Sequence, residues 1–88
     1  MSAHADYSPE DRIRVVVHRL LAQRAVEKRV GPHDDLRQAG LTSLDMISLV
    51  LSIEAEFDVT VPEDSIDPTN FRTIDAIGRV VTALLASV

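Results

Sequence analysis

The residues able to do chemistry in this chain are few, and most are scattered. His4, His18 and His33 lie far apart, and no cysteine is present, so disulfides, thiolate metal sites and thiol nucleophiles are excluded together. His33-Asp34-Asp35 is the one grouping with ligand-type side chains, but an isolated cluster in a polar segment reads as a polar loop rather than a metal site. His18 falls on the polar side of a helical pattern and reads as a solvated residue. No Gly-x-Ser-x-Gly elbow, phosphate-cradling glycine loop or EF-hand spacing occurs. Ser43 stands apart from these. It follows Gln38-Ala39-Gly40-Leu41-Thr42, opens the most apolar helical stretch and precedes an acid-rich run. Its type and place alone predict a helix N-cap, a role worth about 1 kcal/mol.

The acid-rich run dominates the charge. Asp45, Glu54, Glu56, Asp58, Glu63, Asp64 and Asp67 lie in residues 45–67 without a single Lys or Arg, whereas the segments on either side are each net +1. Such a run is either a solvated face or a docking surface that steers a basic partner. The formal net charge of −5 and an aromatic content of 3% exclude a nucleic-acid binder, which needs cations for phosphate and rings for stacking. The N-terminal residues lack a signal-like apolar core, and the apolar stretch at 80–88 is about half the ~20 residues needed to span a bilayer. The expected setting is cytoplasmic, away from membranes. With 88 residues there is length for one domain, 1–88, with residues 1–8 expected to be a flexible N-terminus.

Helical periodicity supplies the elements that position Ser43. Ser8-Pro9-Glu10-Asp11 is a helix start, and Ile13, Val16, Val17, Leu20 and Leu21 recur at helical spacing. Lys28 and Arg29 suit a C-terminus and Gly31-Pro32 a stop, so the first helix is expected over 9–29. Residues 31–42 read as a loop pinned to the core by Leu36, Ala39 and Leu41. The second helix starts at Thr42-Ser43 with Asp45 in its first turn. Met46, Val50, Ile53 and Phe57 form its apolar stripe, widened by Ile47 and Leu51. Glu54 and Glu56 sit near its other end, against the dipole, so something besides helix stability must keep them there. Residues 57–62 leave the helix as an extended connection, and Pro62–Ile66 suits one helical turn. Thr73 caps a last helix whose apolar face is Ile74, Ile77, Val81, Leu84 and Leu85, with Gly78 weakening it by about 1 kcal/mol. The predicted fold is all-α, a small four-helix bundle of three main helices and one short one.

Gly40-Leu41-Thr42-Ser43-Leu44-Asp45, the apolar helix, Glu54-Ala55-Glu56-Phe57-Asp58 and Val61-Pro62 together resemble the acyl and peptidyl carrier protein family, in an order and spacing covering about residues 36–85. In that family the serine of an Asp-Ser-Leu motif is esterified to 4′-phosphopantetheine donated by coenzyme A. The resemblance implies that Ser43 is the attachment site, flanked by Thr42 and Leu44, and that Asp45, Met46, Glu54, Glu56 and Asp58 face partner enzymes. It implies as partners a phosphopantetheinyl transferase, an acyl- or aminoacyl-loading ligase and downstream synthases or transferases, served by a monomeric carrier that is not itself an enzyme. The reactive thiol then belongs to the cofactor, which reconciles thioester chemistry with a cysteine-free chain. Thr42 replaces the usual Asp, and the first 44 residues are rich in Arg, which points to a specialised pathway rather than housekeeping fatty-acid synthesis. The Ala-Gly-Leu-Thr-Ser string is also similar to discrete aminoacyl carrier proteins; polyketide and non-ribosomal peptide carriers fit equally. The competing reading is a non-covalent helical interaction module in which Ser43 only caps and the acids form the docking face.

Overall fold

The computed structural model describes residues 8–86; the N-terminal segment 1–7 lies outside the described residues. Four α-helices and a 3₁₀ turn follow one another among them: α1 (Pro9–Gln23), α2 (Leu36–Ala39), α3 (Ser43–Phe57), the turn Glu63–Ser65, and α4 (Ile74–Ala86). The predicted all-α class and the short turn at 63–65 are both present. Helix α1 is the centre of the bundle, packing on α3 and on α4. Ile13, Val16, Val17, Leu20 and Leu21 of α1 are all buried, joined by Leu49, Ile53 and Phe57 of α3 and Ile74, Ile77 and Val81 of α4 in one cluster.

Local chemistry explains the starts. Ser8 and Asp11 form a capping box ahead of Pro9, each side chain accepting a hydrogen bond from the other's backbone N–H. Thr73 Oγ accepts from the Ala76 N–H at 3.0 Å and caps α4. The 31–42 segment is held by buried Leu36, Ala39 and Leu41, as predicted, and by Val30 as well. Within it, Asp35 caps the single turn α2 through the N–H groups of Arg37 and Gln38. Asp34 accepts from the Gly31 N–H at 2.8 Å, so both carboxylates of the His33-Asp34-Asp35 grouping serve the backbone. Backbone bonds from Leu36 N–H to Arg72 C=O (2.8 Å) and from Asp75 N–H to Pro32 C=O (2.9 Å) tie this segment to the lead into α4.

Beyond α2, a helical turn inside the segment read as a loop, three expectations about the helices need correction. First, α1 ends at Gln23, not Arg29. Ala25 takes a left-handed backbone (φ 59°), its N–H reaches Ala22 C=O at 2.9 Å, and the Val26 N–H closes back on Leu21 C=O at 2.9 Å. This is a Schellman closure with alanine where glycine is usual, and Val26 supplies its apolar contact with the core. Second, α3 buries Leu49 on the side opposite to that predicted, leaving Ile47 59% and Leu51 60% exposed. Third, Leu85, assigned to the apolar face of the last helix, is 42% exposed. His18 also differs from its predicted solvated role, because its Nε2 accepts the Val30 N–H at 3.2 Å and holds the 24–30 segment against α1.

Candidate functional site

The N-terminus of α3 is built around Thr42, which is the N-cap that sequence reasoning had assigned to Ser43. Thr42 Oγ accepts from the Asp45 N–H (3.3 Å), and Asp45 Oδ2 accepts from both the Thr42 N–H (2.8 Å) and its hydroxyl (3.0 Å). Threonine outcompetes serine for this role because its backbone is extended (φ −91°, ψ 176°), leaving Ser43 as the first residue with helical geometry. Ser43 is therefore exposed, and its hydroxyl has no hydrogen-bond partner among the described residues. Leu44 beside it is 73% exposed.

Arg24, the C-cap of α1, reaches this box from across the bundle. Its Nε pairs with Asp45 Oδ2, and its Nη2 lies 3.4 Å from Thr42 Oγ. The Arg24 guanidinium, followed by the Thr42 N–H, holds the Asp45 carboxyl below the usual carboxylate range, and Asp45 in turn holds Arg24 above its ordinary value. Two grooves open beside Ser43. One is a cleft of about 230 Å³, mostly apolar, lined by Met46, Ile47, Val50, Ile66, Pro68 and Phe71 with Arg37 at its rim. The other runs between α2 and the lead into α4 and is lined by Arg37, Thr42 and Arg72. An exposed hydroxyl at a helix N-terminus, between accessible grooves, suits covalent attachment of an anionic group: a transferase can reach it, and the helix field favours the charge.

Comparison with known proteins agrees with this geometry. The sequence pattern of the family described as "Phosphopantetheine attachment site" matches residues 11–81. The chain belongs to that family. It is 41% identical over 75 residues to aminoacyl carrier protein 1 of Bradyrhizobium diazoefficiens, covering 85% of this chain and 83% of that protein. It is 38% identical over 78 residues to aminoacyl carrier protein 2 of the same organism, covering 89% and 88%. In a crystal structure of the Bradyrhizobium japonicum glycine:carrier protein ligase complexed with its cognate carrier protein and an analogue of glycyl adenylate, one chain superposes with a TM-score of 0.79. That chain is 39% identical, and the match covers 85% of this chain and 96% of that one. The fold predicted from sequence is thus the carrier-protein fold, and 4′-phosphopantetheine is the covalent group of this carrier. A purely non-covalent module gives way to this finding.

Several of the carrier's acids, read from the sequence as a docking face, also serve the fold. Asp45 is spent in the capping box and its ion pair. Glu54 Oε2 accepts the Val61 N–H at 2.8 Å and ties the segment leaving α3 back to the helix. Glu56 pairs with Arg12 Nε at 2.9 Å, and the same guanidinium donates to the Glu56 C=O at 2.5 Å while lying 4.3 Å from the Phe57 ring centroid. Arg12 thus supplies a cation at the C-terminus of α3, offsetting the two acids that oppose the dipole. Asp67 caps a turn at Asn70 (2.8 Å). Asp58, Glu63 and Asp64 keep exposed carboxylates without a partner among the described residues. Asp58 also ends α3 in a left-handed conformation (φ 54°), which Asp tolerates better than most residues. Met46 is half-buried at the cleft. Sequence reasoning missed Arg12 and Arg24 because both act across elements. The usable signal was an Arg-rich helix opposite acids that had no local reason for their positions.

No described helix is long and apolar enough to cross a membrane.

Proposed function

We propose that this carrier holds an aminoacyl group as a thioester on a 4′-phosphopantetheine arm esterified to Ser43. A stand-alone aminoacyl-activating ligase loads it, and other enzymes unload it. The observation that carries this reading is the Ser43 hydroxyl, exposed at the first helical position and unused by the cap, in a chain similar to aminoacyl carrier proteins over most of its length. The group brings a thiol when attached. The chain's own residues place and expose it but do no bond chemistry, so the transferase and ligase supply every catalytic group. Tethering keeps the cargo at high effective concentration for each partner in turn.

Partner contact falls on the surface that the internal bonds leave open. Leu44 and Met46 flank Ser43, and Asp58 with Glu63 and Asp64 forms the free acidic end that a basic patch would meet. Asp45, Glu54 and Glu56 contribute through the fold, by holding the two ends of α3.

The test is to purify the protein from its native host under conditions that preserve thioesters. The bound group is then released with a small amine-thiol and identified by mass spectrometry. A single amino acid on the arm is expected, and none on Ser43→Ala. A fatty or polyketide chain in its place would refute the aminoacyl reading.

A further inference from the structure

We propose that Arg24 is the positioning residue for Ser43, clamping the N-terminus of α3 to the end of α1 so that the attachment hydroxyl is presented in one geometry. The inference rests on Ser43 being the attachment site. Arg24 lies 18 residues before Thr42, with the whole 25–41 connection between them, in which α2 is the only helix. Leu36, Ala39 and Leu41 pin that connection to the core, and Arg24 adds a direct tie between its two ends. The guanidinium does so with two donors on one rigid fork, Nε on Asp45 Oδ2 and Nη2 facing Thr42 Oγ. Those two acceptors are the same atoms that make the capping box, so each member of the box is held both from within α3 and from α1.

The position of Arg24 is itself prepared. It is the C-cap of α1, its N–H bonded to Leu21 C=O at 3.0 Å, and the left-handed Ala25 after it turns the chain away while leaving the side chain directed at α3. An alanine in that conformation is a local strain that this closure must sustain. The clamp also settles the charge beside Ser43. Pairing with Arg24 leaves the Asp45 carboxylate, two residues from the hydroxyl, as half of an ion pair rather than a free anion.

Three measurements on purified full-length apo proteins, wild type, Arg24→Gln and Arg24→Lys, test this at a temperature where all are folded by circular dichroism. The first is kcat/KM for transfer of phosphopantetheine from coenzyme A by a broad-specificity transferase. The second is amide hydrogen exchange at Thr42, Asp45 and Met46, whose N–H groups are bonded within the box, and the third the NMR titration of the Asp45 carboxyl. For Arg24→Gln the transfer rate falls, by up to about five-fold, the factor by which a lost cap interaction lowers the equilibrium constant of the clamped geometry. Exchange at the α3 N-terminus quickens, and the Asp45 titration moves up. Arg24→Lys, which keeps the charge but not the fork, recovers part of the rate. Transfer to Arg24→Gln at the wild-type rate, with Asp45 titrating higher, would overturn the proposal. Unchanged exchange would overturn it as well. Absence of transfer to wild type would instead count against Ser43 as the attachment site, leaving exchange and the Asp45 titration to decide the clamp.

Discussion

Replacing Thr42 and Ser43 by alanine, one at a time, separates the residue that caps α3 from the residue that is free for attachment. Thr42→Ala removes the hydroxyl that accepts the Asp45 N–H at 3.3 Å and donates to Asp45 Oδ2 at 3.0 Å, while the 2.8 Å bond from the residue-42 N–H to Asp45 survives. One arm of the box and two side-chain bonds, to Asp45 Oδ2 and from Arg24 Nη2, are lost at an exposed site, which puts the cost near the middle of the capping range, about 1 kcal/mol. For a domain of this size that lowers Tm by roughly 4–8 °C. Ser43→Ala removes a hydroxyl that bonds to nothing and installs the best helix former at the first helical position, so stability should stay within about 0.5 kcal/mol of wild type. Thermal and urea unfolding followed at 222 nm measure both. If Ser43→Ala proves as destabilising as Thr42→Ala, then serine is the cap and the separation of roles fails. The same logic predicts that esterifying Ser43 leaves the fold as stable as before, since the modified oxygen is not a structural atom.

Further predictions concern the surroundings of the site. Gly78→Ala should raise Tm, because a Cβ there meets Glu10 and Ile13 at 3.9–4.0 Å, ordinary contact, while the helix gains about 1 kcal/mol of propensity. Arg12→Ala should cost about 1–2 kcal/mol in urea unfolding, through lost packing on Phe57 and an uncapped Glu56 carbonyl. Glu56→Gln should cost less than 1 kcal/mol, because that ion pair is largely solvated. The Asp45 carboxyl sits lower in the folded chain than in the unfolded one. Its contribution should be complete above the ordinary Asp range and disappear as pH falls through the folded value, and acid unfolding of Asp45→Asn should lack that component. Ala25→Gly should stabilise, glycine being unstrained at φ 59°.

How much of this was legible in the sequence follows the range of the interactions. The apolar faces of α1 and α4 read directly, because Ile13 to Leu21 and Ile74 to Val81 keep a 3.6-residue period and bury one face each. The caps at Ser8 and Thr73, the turn at 63–65 and the anchoring of Leu36, Ala39 and Leu41 are also local features. The end of α1 was hidden because its left-handed position holds Ala25, and sequence reasoning looks for glycine there. The side to which the α3 stripe widens was hidden because α3 is apolar almost all round. Leu49 and Leu51 look alike until the neighbours that cover one of them are placed. The freedom of Ser43 from the cap was not legible, because Thr42 and Ser43 are both good capping residues. The pairing of Glu56 and Asp45 with Arg12 and Arg24 was hidden because those partners lie far away in sequence.

The central claim is that Ser43 is where the arm is joined. It is tested most directly by intact-mass spectrometry of the apo protein after incubation with coenzyme A and a broad-specificity phosphopantetheinyl transferase. The account predicts a gain of one phosphopantetheinyl group in wild type and none in Ser43→Ala. No gain in the wild type, or an equal gain in the variant, would contradict it.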